Sequence, residues 1–266
     1  MTDANGRVLI IAGSDSGGGA GIQADIKTVT ALGGYAATAI TAITIQNTLG
    51  VSGVHSIPVD IVEAQARAVL DDIGADVIKT GMLGTVELVE MLAVLLSEYP
   101  DIPLVLDPVM VATSGDQLID DAAIGAIRDR LLPLAALVTP NAPEAAKLTG
   151  QPVTSTQEQA EAGRQLVELG AKAALVKGGH IGGSVITDVL VTSKATMVFE
   201  TERQKTRNTH GTGCTLASAI ATGLAKGRSL PDSIEAGGSY LSEAIRRAPG
   251  FGAGHGPVHH AWVTDR

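Results

Sequence analysis

A glycine-rich segment that ends in a cysteine contains the residues best suited to chemistry. Residues 208–214 read Asn-Thr-His-Gly-Thr-Gly-Cys and lead into an alanine-rich stretch, the pattern of a tight turn that opens a helix. Glycines let several backbone N–H groups point the same way, and a helix start adds unpaired N–H groups and the positive end of its dipole. Gly211, Thr212, Gly213 and Cys214 therefore predict an anion-binding site with a titratable thiol at its edge, which suits phosphoryl transfer to a hydroxyl.

Two plainer interpretations of this segment stay open on its residues alone. A solitary cysteine is most often a small buried apolar side chain, and Cys214 is the single cysteine of the chain. A Gly-Thr-Gly sequence also occurs in ordinary turns, and short glycine motifs match by chance. The rest of the chain therefore has to decide between a turn and a site.

The composition indicates an ordered globular protein and argues against some partners. Of the 266 residues, 45% are hydrophobic but only 2% are aromatic, so the core has to be mainly aliphatic. Few aromatic rings and a net charge of −9 argue against nucleic-acid binding, which needs stacking platforms or a basic face. One cysteine, no signal-peptide pattern over residues 1–6 and no run of about 18 apolar residues lead us to expect a cytoplasmic protein with no membrane contact.

Short apolar runs alternate with helical patterns along the chain. The predicted strands are Val8–Ala12, Ala39–Ile45, Val77–Ile78, Leu104–Leu106, Leu137–Val138 and Ala174–Val176. Periodicity and capping signals favour helices over Thr85–Tyr99, Ser155–Leu169, Gly213–Lys226 and Pro231–Arg247, and a hairpin over Asp188–Val191 and Thr196–Glu200. This alternation predicts an α/β fold with a mostly parallel central sheet flanked by helices on both faces.

Polar and glycine-rich residues follow the predicted strands, where ligands bind in such sheets. They lie at Gly13–Asp15, Gln46–Asn47, Thr80–Met82, Asp107–Pro108, Thr139–Asn141 and Lys177–His180. No linker-like segment, low-complexity tract or repeat divides the chain. We therefore expect residues 1–266 to form one domain with one site at this edge of the sheet.

Seven ordered motifs resemble the hydroxymethylpyrimidine/phosphomethylpyrimidine kinases of thiamine biosynthesis, members of the ribokinase-like superfamily. They lie at Gly13–Asp25, Thr41–Thr48, Lys79–Leu83, Leu106–Met110, Thr139–Ala145, Val176–His180 and Asn208–Cys214. The resemblance extends from about residue 8 to residue 248 and departs slightly at Gly17, where the family commonly has a second serine. It implies a ribokinase-like three-layer fold with a small β hairpin or flap.

The resemblance also implies an activity. Such a kinase uses ATP and Mg²⁺ to phosphorylate the hydroxymethyl oxygen of 4-amino-5-hydroxymethyl-2-methylpyrimidine, and then converts the monophosphate to the diphosphate. Homodimers are common among relatives, so we expect a homodimer here. The partners that it implies are therefore small molecules and a second copy of the chain.

At the substrate end, the resemblance implies which residues hold the pyrimidine. Gln46 follows a strand, and its amide can both donate to and accept from an aminopyrimidine edge, although such an amide often caps the backbone instead. Met82 and Val109 would flank the flat ring, although residues of these types are more often ordinary core. The other substrate-binding residues that we expect are Ala20, Asp25, Thr44 and His210.

At the nucleotide end, the resemblance implies roles for a lysine and two carboxylates. Lys177 leaves a strand into two glycines and would meet ATP phosphates, although most lysines are simply solvated. Asn141 and Glu144 match the family's metal-associated Asn-x-x-Glu at the start of a short helix, where a carboxylate suits Mg²⁺ but also favours the helix dipole. Asp107 lies near the same place and is expected to hold Mg²⁺ or phosphate indirectly.

Cys214 occupies the position where many ribokinase-like kinases have an aspartate as general base, whereas the pyrimidine kinases that this chain resembles have cysteine. Because a helix N-terminus lowers the pKa of a thiol, we expect an accessible thiolate there. His259 and His260 have no carboxylate or cysteine near them in the sequence, and we expect both on the surface.

Two rival functions remain at this point. A pyridoxal kinase of the same superfamily also acts on a ring with a hydroxymethyl group, but Gln46 and Met82 favour the aminopyrimidine. A catalytically silent binding or regulatory protein on the same fold could dispense with the base and the anion-site glycines, and their presence argues against it.

Overall fold

The computed structural model describes residues 6–112 and 115–265, and the nine strands in this part of the chain form one sheet. Their order is β3-β2-β1-β4-β5-β6-β7-β8-β9. The strands are β1 (Arg7–Asp15), β2 (Tyr35–Asn47), β3 (Gly50–Ser56), β4 (Val77–Thr80), β5 (Leu104–Leu106), β6 (Ala135–Val138), β7 (Ala173–Val176), β8 (Val185–Thr192) and β9 (Thr196–Glu202). Strands β2, β1, β4, β5, β6 and β7 run parallel, and antiparallel hairpins extend both edges.

Helices cover both faces of the sheet and give three layers. One face carries α1 (Gly21–Ala31), α7 (Thr212–Ala225) and α8 (Leu230–Arg246); the other carries α2 (Val59–Asp72), α3 (Val86–Ser97), α4 (Asp121–Ala126), α5 (Ala142–Thr149) and α6 (Thr156–Glu168). Side chains of a strand alternate between faces, so Leu9 and Ile11 join the core under α2 and α3 while Val8 and Ile10 join the core under α1 and α7. The structure thus confirms the predicted ribokinase-like arrangement.

The predicted strands and helices are all present, and so is the hairpin of β8 and β9, which continues the main sheet. Sequence reasoning missed β3, α1, α2 and α4. Strand β3 has the sequence Gly-Val-Ser-Gly-Val-His-Ser and is mostly exposed, so it lacks the apolar run of a buried strand. The assignment of residues 1–266 to one domain stays a prediction, because residues 1–5, 113–114 and 266 lie outside the described part.

The positions of the helix starts near the sheet's carboxyl edge follow from local capping. Asn141 accepts a hydrogen bond from the backbone N–H of Glu144, and the Glu144 carboxylate accepts one from the N–H of Asn141, which is a complete capping box. Gly211 precedes α7 with a φ of 78°, a left-handed conformation that suits glycine. In the described residues, no helix is both long and apolar enough to cross a bilayer.

Candidate active site

A cavity of about 610 Å³ lies at the carboxyl edge of the parallel strands, where α7 begins. All but one of the predicted site residues line it. They are Ala20, Thr44, Gln46, Met82, Asp107, Val109, Asn141, Glu144, Lys177, His210, Gly211, Thr212, Gly213 and Cys214. The parallel topology explains this convergence, because every one of these strands ends on the same side.

Two helix starts meet around the thiol of Cys214. The sulfur lies in the first turn of α7, and the backbone N–H of Gly21, the first residue of α1, is close enough to lower the pKa of the thiol. Gly211 packs so closely against Gly19 that an added Cβ would lie 1.8 Å from the Gly19 carbonyl oxygen. The structure therefore builds a concave site from the N-terminal ends of both helices, as an anion requires.

The expected lowering of the Cys214 pKa is wrong for this structure. Burial raises the pKa of the thiol to about 12, and the carboxylates of Asp25 and Asp107 add to the rise. The Lys79 ammonium and the Gly21 N–H act in the opposite direction but do not outweigh desolvation. Cys214 is therefore protonated near neutral pH, because desolvation destabilises the thiolate more than the N-terminus of α7 stabilises it.

Asp25 is the one predicted substrate-binding residue that the structure places elsewhere. Its fully buried carboxylate accepts hydrogen bonds from Lys79 Nζ at 2.9 Å to both oxygens and from Ser218 Oγ at 2.7 Å. It does not line the cavity, and it joins α1, β4 and α7 behind the thiol. Breaking such a buried pair would leave an uncompensated charge, so we assign Asp25 a structural role.

Lys177 and Asp107 form a buried pair at the opposite side of the α7 start. Lys177 Nζ lies 3.1 Å from Asp107 Oδ1, which also accepts a hydrogen bond from Thr139. The other oxygen, Asp107 Oδ2, is buried and has no hydrogen-bond partner, and a Cβ added to Gly213 would lie 4.0 Å from it. A buried carboxylate oxygen without a partner beside a cavity is a position where a cation would be stabilised.

Glu144 lies in the same charged group. Its side chain is buried, and burial raises the pKa of its carboxyl to about 7; Lys177 lowers this pKa, while the negative charge of Asp107 raises it further. A bound metal ion would lower the pKa of Glu144, because its positive charge favours the ionised carboxylate. Among the described residues there is no cluster of three or more histidine, cysteine or acidic side chains that could hold a metal ion.

The substrate end contains Gln46, Thr44 and His210. Thr44 Oγ1 lies 3.0 Å from Gln46 Oε1, which orients the amide, and Gln46 Nε2 lies 3.5 Å from His210 Nε2. The Thr44 hydroxyl lies equally close to the Ser14 carbonyl oxygen, and Gln46 lines the cavity with an amide that can both donate and accept. Met82 and Val109 line the same cavity and supply apolar surface where the chain has no aromatic ring.

Asp15 organises this end, and sequence reasoning gave it no role. Its buried carboxylate accepts hydrogen bonds from the backbone N–H groups of Gly17, Gly19 and Ala20 and lies 2.8 Å from His210 Nε2. Burial opposes ionisation, but these bonds hold the pKa of Asp15 below its usual value. An aspartate followed by glycines is a local signal for such a turn, although it does not reveal the histidine partner.

Two further differences from expectation concern residues far from the motifs. His260 is buried and its Nε2 lies 3.1 Å from Thr215 Oγ1, so the prediction that it lies on the surface is wrong. His259 does have a carboxylate partner, Asp265. The cavity also extends between Leu241, Ser242, Ile245 and Gln204, which no sequence motif singled out.

A three-layer α/β fold, with helix starts, a lysine and carboxylates at its ligand-binding edge, defines a ribokinase-like small-molecule kinase. The family model for phosphomethylpyrimidine kinase matches residues 15–259. The chain belongs to the phosphomethylpyrimidine kinase family.

Curated relatives agree with this assignment. The chain is 48% identical over 256 residues to the hydroxymethylpyrimidine/phosphomethylpyrimidine kinase of Streptomyces coelicolor, an alignment that covers 96% of the chain and 94% of that protein. It is 51% identical over 260 residues to the thiamine biosynthesis bifunctional protein ThiED of Geobacter sulfurreducens. That alignment covers 98% of the chain but only 53% of the Geobacter protein, so the chain corresponds to about half of it.

Solved structures share the whole fold. A Bacillus subtilis pyridoxal kinase in complex with ADP matches with a TM-score of 0.91 and 35% identity, over 98% of this chain and 99% of that one. A phosphomethylpyrimidine kinase from Clostridium difficile 630 matches with a TM-score of 0.80 and 39% identity, over 90% and 99%. Pyridoxal kinases are thus structural neighbours, whereas the family model and the curated relatives bear the phosphomethylpyrimidine kinase name.

Proposed function

We propose that this chain transfers the γ-phosphoryl group of ATP to 4-amino-5-hydroxymethyl-2-methylpyrimidine and then phosphorylates the monophosphate. The supporting observation is the arrangement of one cavity: the α7 start lies between the Lys177–Asp107 pair and the Gln46–His210 group. Phosphoryl transfer depends mostly on such positioning and on neutralisation of charge. A coupled assay with the pyrimidine, its monophosphate and pyridoxal tests the proposal, and turnover of pyridoxal alone would contradict it.

The proposed chemistry assigns each end one task. Lys177 binds the phosphates of ATP, with Asn141 and Asp107 beside it, and the N–H groups of residues 211–213 receive the charge on the transferring group. The hydroxymethyl oxygen forms the new P–O bond while the bond from the γ-phosphorus to the β–γ bridging oxygen breaks. The hydroxyl proton passes to Cys214 Sγ, which therefore has to be the thiolate in the reacting enzyme. The part of the cavity that Leu241 and Ile245 of α8 line would accommodate the nucleotide base.

Mg²⁺ belongs to this proposal, and the donor set fits it. Asp107 Oδ2 is buried without a partner, and the Glu144 carboxylate is held nearby by its capping box. Hard carboxylate oxygens together with substrate phosphates are the ligands that Mg²⁺ usually takes. The ion would neutralise phosphate charge during transfer.

Replacing Glu144 with glutamine should raise the Mg²⁺ concentration that gives half-maximal activity, by about tenfold for one lost charge-assisted contact. The measurement is a Mg²⁺ titration of initial rate at saturating pyrimidine. Glu158→Gln is the matched control, because Glu158 lies at the same position of the next helix, is only half-buried and does not line the cavity. An unchanged Mg²⁺ requirement in Glu144→Gln would exclude the metal role.

Replacing Gln46 with alanine should weaken pyrimidine binding and leave ATP binding nearly unchanged. A buried polar edge left without its hydrogen bond costs about 1–3 kcal/mol, which corresponds to a rise in pyrimidine KM of about 5- to 150-fold. Asn47→Ala is the control, because the neighbouring side chain is exposed and accepts a hydrogen bond from Leu49 N in its own turn. A pyrimidine KM in Gln46→Ala equal to that of Asn47→Ala would remove Gln46 from the substrate site.

A homodimer through the β2–β3 hairpin is also part of the proposal. Ile43 and Ile45 point outwards from β2 and are 47% and 68% exposed, Leu49 in the turn is 69% exposed, and Phe251 on the loop beside it is 66% exposed. Monomers rarely leave such apolar side chains together at a sheet edge, and a second copy would cover them.

Sedimentation equilibrium should therefore give twice the chain mass of 27.0 kDa. Ile45→Asp should shift the mass towards the monomer, whereas Val198→Asp on β9, at the opposite edge of the sheet, should not. A parent protein that sediments as a monomer at micromolar concentration would contradict the dimer.

Two expectations from composition remain within the proposal. A single cysteine supports a reducing compartment such as the cytoplasm, and a net charge of −9 supports small molecules over nucleic acid as partners. Cell fractionation and a filter-binding assay with single- and double-stranded nucleic acid would test them.

A further inference from the structure

The last part of the chain contacts every wall of the substrate end. His255 N donates to the Thr48 carbonyl at 2.8 Å, in the turn between β2 and β3. His210 N donates to the Gly256 carbonyl at 3.1 Å, and Pro257 pairs with His210 and packs beside Gly19. Residues 254–260 therefore connect the hairpin turn, the glycine loop after β1 and the segment that precedes α7.

His260 ends this segment and lies behind the start of α7. It is 3% exposed, its carbonyl accepts a hydrogen bond from Tyr240 of α8, and its Nε2 lies 3.1 Å from Thr215 Oγ1. Thr215 Oγ1 in turn lies 2.8 Å from the carbonyl oxygen of Gly211, which also accepts the backbone N–H of Thr215 at 2.9 Å. His260, Thr215 and Gly211 thus form a chain of hydrogen bonds that ends at the anion site.

The number of available hydrogens decides which group donates in each of these hydrogen bonds. Burial lowers the pKa of His260 to about 4, so the ring is neutral near pH 7 and has one N–H. The Thr215 hydroxyl has one hydrogen, which satisfies the Gly211 carbonyl. Both contacts are hydrogen bonds only if His260 Nε2–H donates to Thr215 Oγ1, and we assign that tautomer.

We propose that His260 is a positioning residue that fixes Thr215 and, through it, the Gly211 peptide whose neighbouring N–H groups form the anion site. Its kinetic consequence rests on the proposed function, but its structural consequence does not. Gly211 also packs against Gly19 and keeps the hydrogen bond from the Thr215 backbone N–H, so loss of the Thr215 hydroxyl contact would remove one of the three contacts described for this turn. A displacement of the donors by about 1 Å is enough to cost on the order of 100-fold in rate.

The first test compares His260→Leu, His260→Gln and His260→Asn with the adjacent His259→Leu, which removes a half-buried histidine and its Asp265 contact. Glutamine can place an N–H near the position of Nε2, whereas asparagine is too short. We expect kcat to fall about 10- to 100-fold in His260→Leu and His260→Asn, with both KM values within about threefold, and to recover in His260→Gln. Equal kcat in the Gln and Asn variants, or parental kcat in all three, would overturn the proposal.

Thr215→Val tests the same chain without touching the histidine. It removes the hydroxyl and keeps the side-chain shape, and we expect the same loss of kcat as in His260→Leu. Because both changes break the same series of hydrogen bonds, the double variant should be no slower than the slower single variant. Losses that multiply in the double variant would show that the two residues act independently.

A readout without turnover separates this proposal from the proposed function. Cys214 is the only cysteine, so its alkylation by iodoacetamide at pH 8 reports on the α7 start alone. The alkylation rate should rise at least about threefold in His260→Leu and Thr215→Val and stay at the parental value in His260→Gln and His259→Leu. If the parent fails to phosphorylate the pyrimidine but this pattern holds, only the proposed function is wrong; if the parent is active and the pattern is absent, the positioning role is wrong.

Discussion

Cys214→Ala should lower kcat by about 10²–10⁴-fold, the usual share of a general base, while both substrates bind nearly as they do to the parent. Little packing volume is lost, and the N–H groups around the site remain. Cys214→Asp should retain part of the activity, because a carboxylate can accept the same proton. Single-turnover rates measured after binding of both substrates check this directly. If Cys214→Ala turns over within a few-fold of the parent, the thiol only lines the anion site.

The raised thiol pKa gives this prediction a pH dependence with a definite sign. With a pKa of about 12, the thiolate is a minor form near neutrality. As long as the pH is below this pKa, each increase of one pH unit raises the thiolate fraction about tenfold. The parental kcat should therefore rise steeply between pH 7 and pH 9, whereas Cys214→Ala should show no such rise. A parental profile as flat as that of the alanine variant would exclude the thiolate as base.

Gly211→Ala should reduce kcat by at least about 100-fold, because it displaces the anion-site donors. Two effects coincide at this residue. Its φ of 78° is unfavourable for alanine by about 1–2 kcal/mol, and the new Cβ would lie 1.8 Å from the Gly19 carbonyl oxygen. The backbone of one loop therefore has to move, and the α7 start moves with it.

Gly227→Ala is the matched control, because Gly227 follows the other end of α7 with a φ of 77° and nothing lies within 4 Å of an added Cβ. It should lower the free energy of unfolding by about 1–2 kcal/mol and leave kcat unchanged. Chemical denaturation of both variants measures the effect of backbone strain on stability. Steady-state kinetics on both variants measures the effect of displaced N–H groups on kcat. Equal kcat in the two alanine variants would show that the contact with Gly19 is not needed for catalysis.

The strands with clear apolar runs, the helices with clear caps, the mostly parallel sheet and the location of the site could be predicted from the sequence. These features depend on neighbours along the chain: β-branched runs, periodic apolar residues and glycines at turns. Parallel strands then bring their carboxyl ends together, so Gln46, Asp107, Lys177 and Cys214 were expected at one edge, and the structure places them around one cavity. Exposed β3 and the glycine-led α1 were missed because their local patterns are weak.

The tertiary structure alone decided the electrostatics and the support of the site. The partner of Asp25 is Lys79, 54 residues away, and their full burial removes Asp25 from the substrate cavity. His260 reaches Thr215 across 45 residues and becomes neutral because it is buried. The Cys214 pKa rises for the same reason. A helix start or a strand end depends on neighbouring residues, so the sequence by itself determined where the site lies. Desolvation and long-range pairing depend on atoms brought together from distant segments, so only the packing decided the partners and the charge of these buried groups.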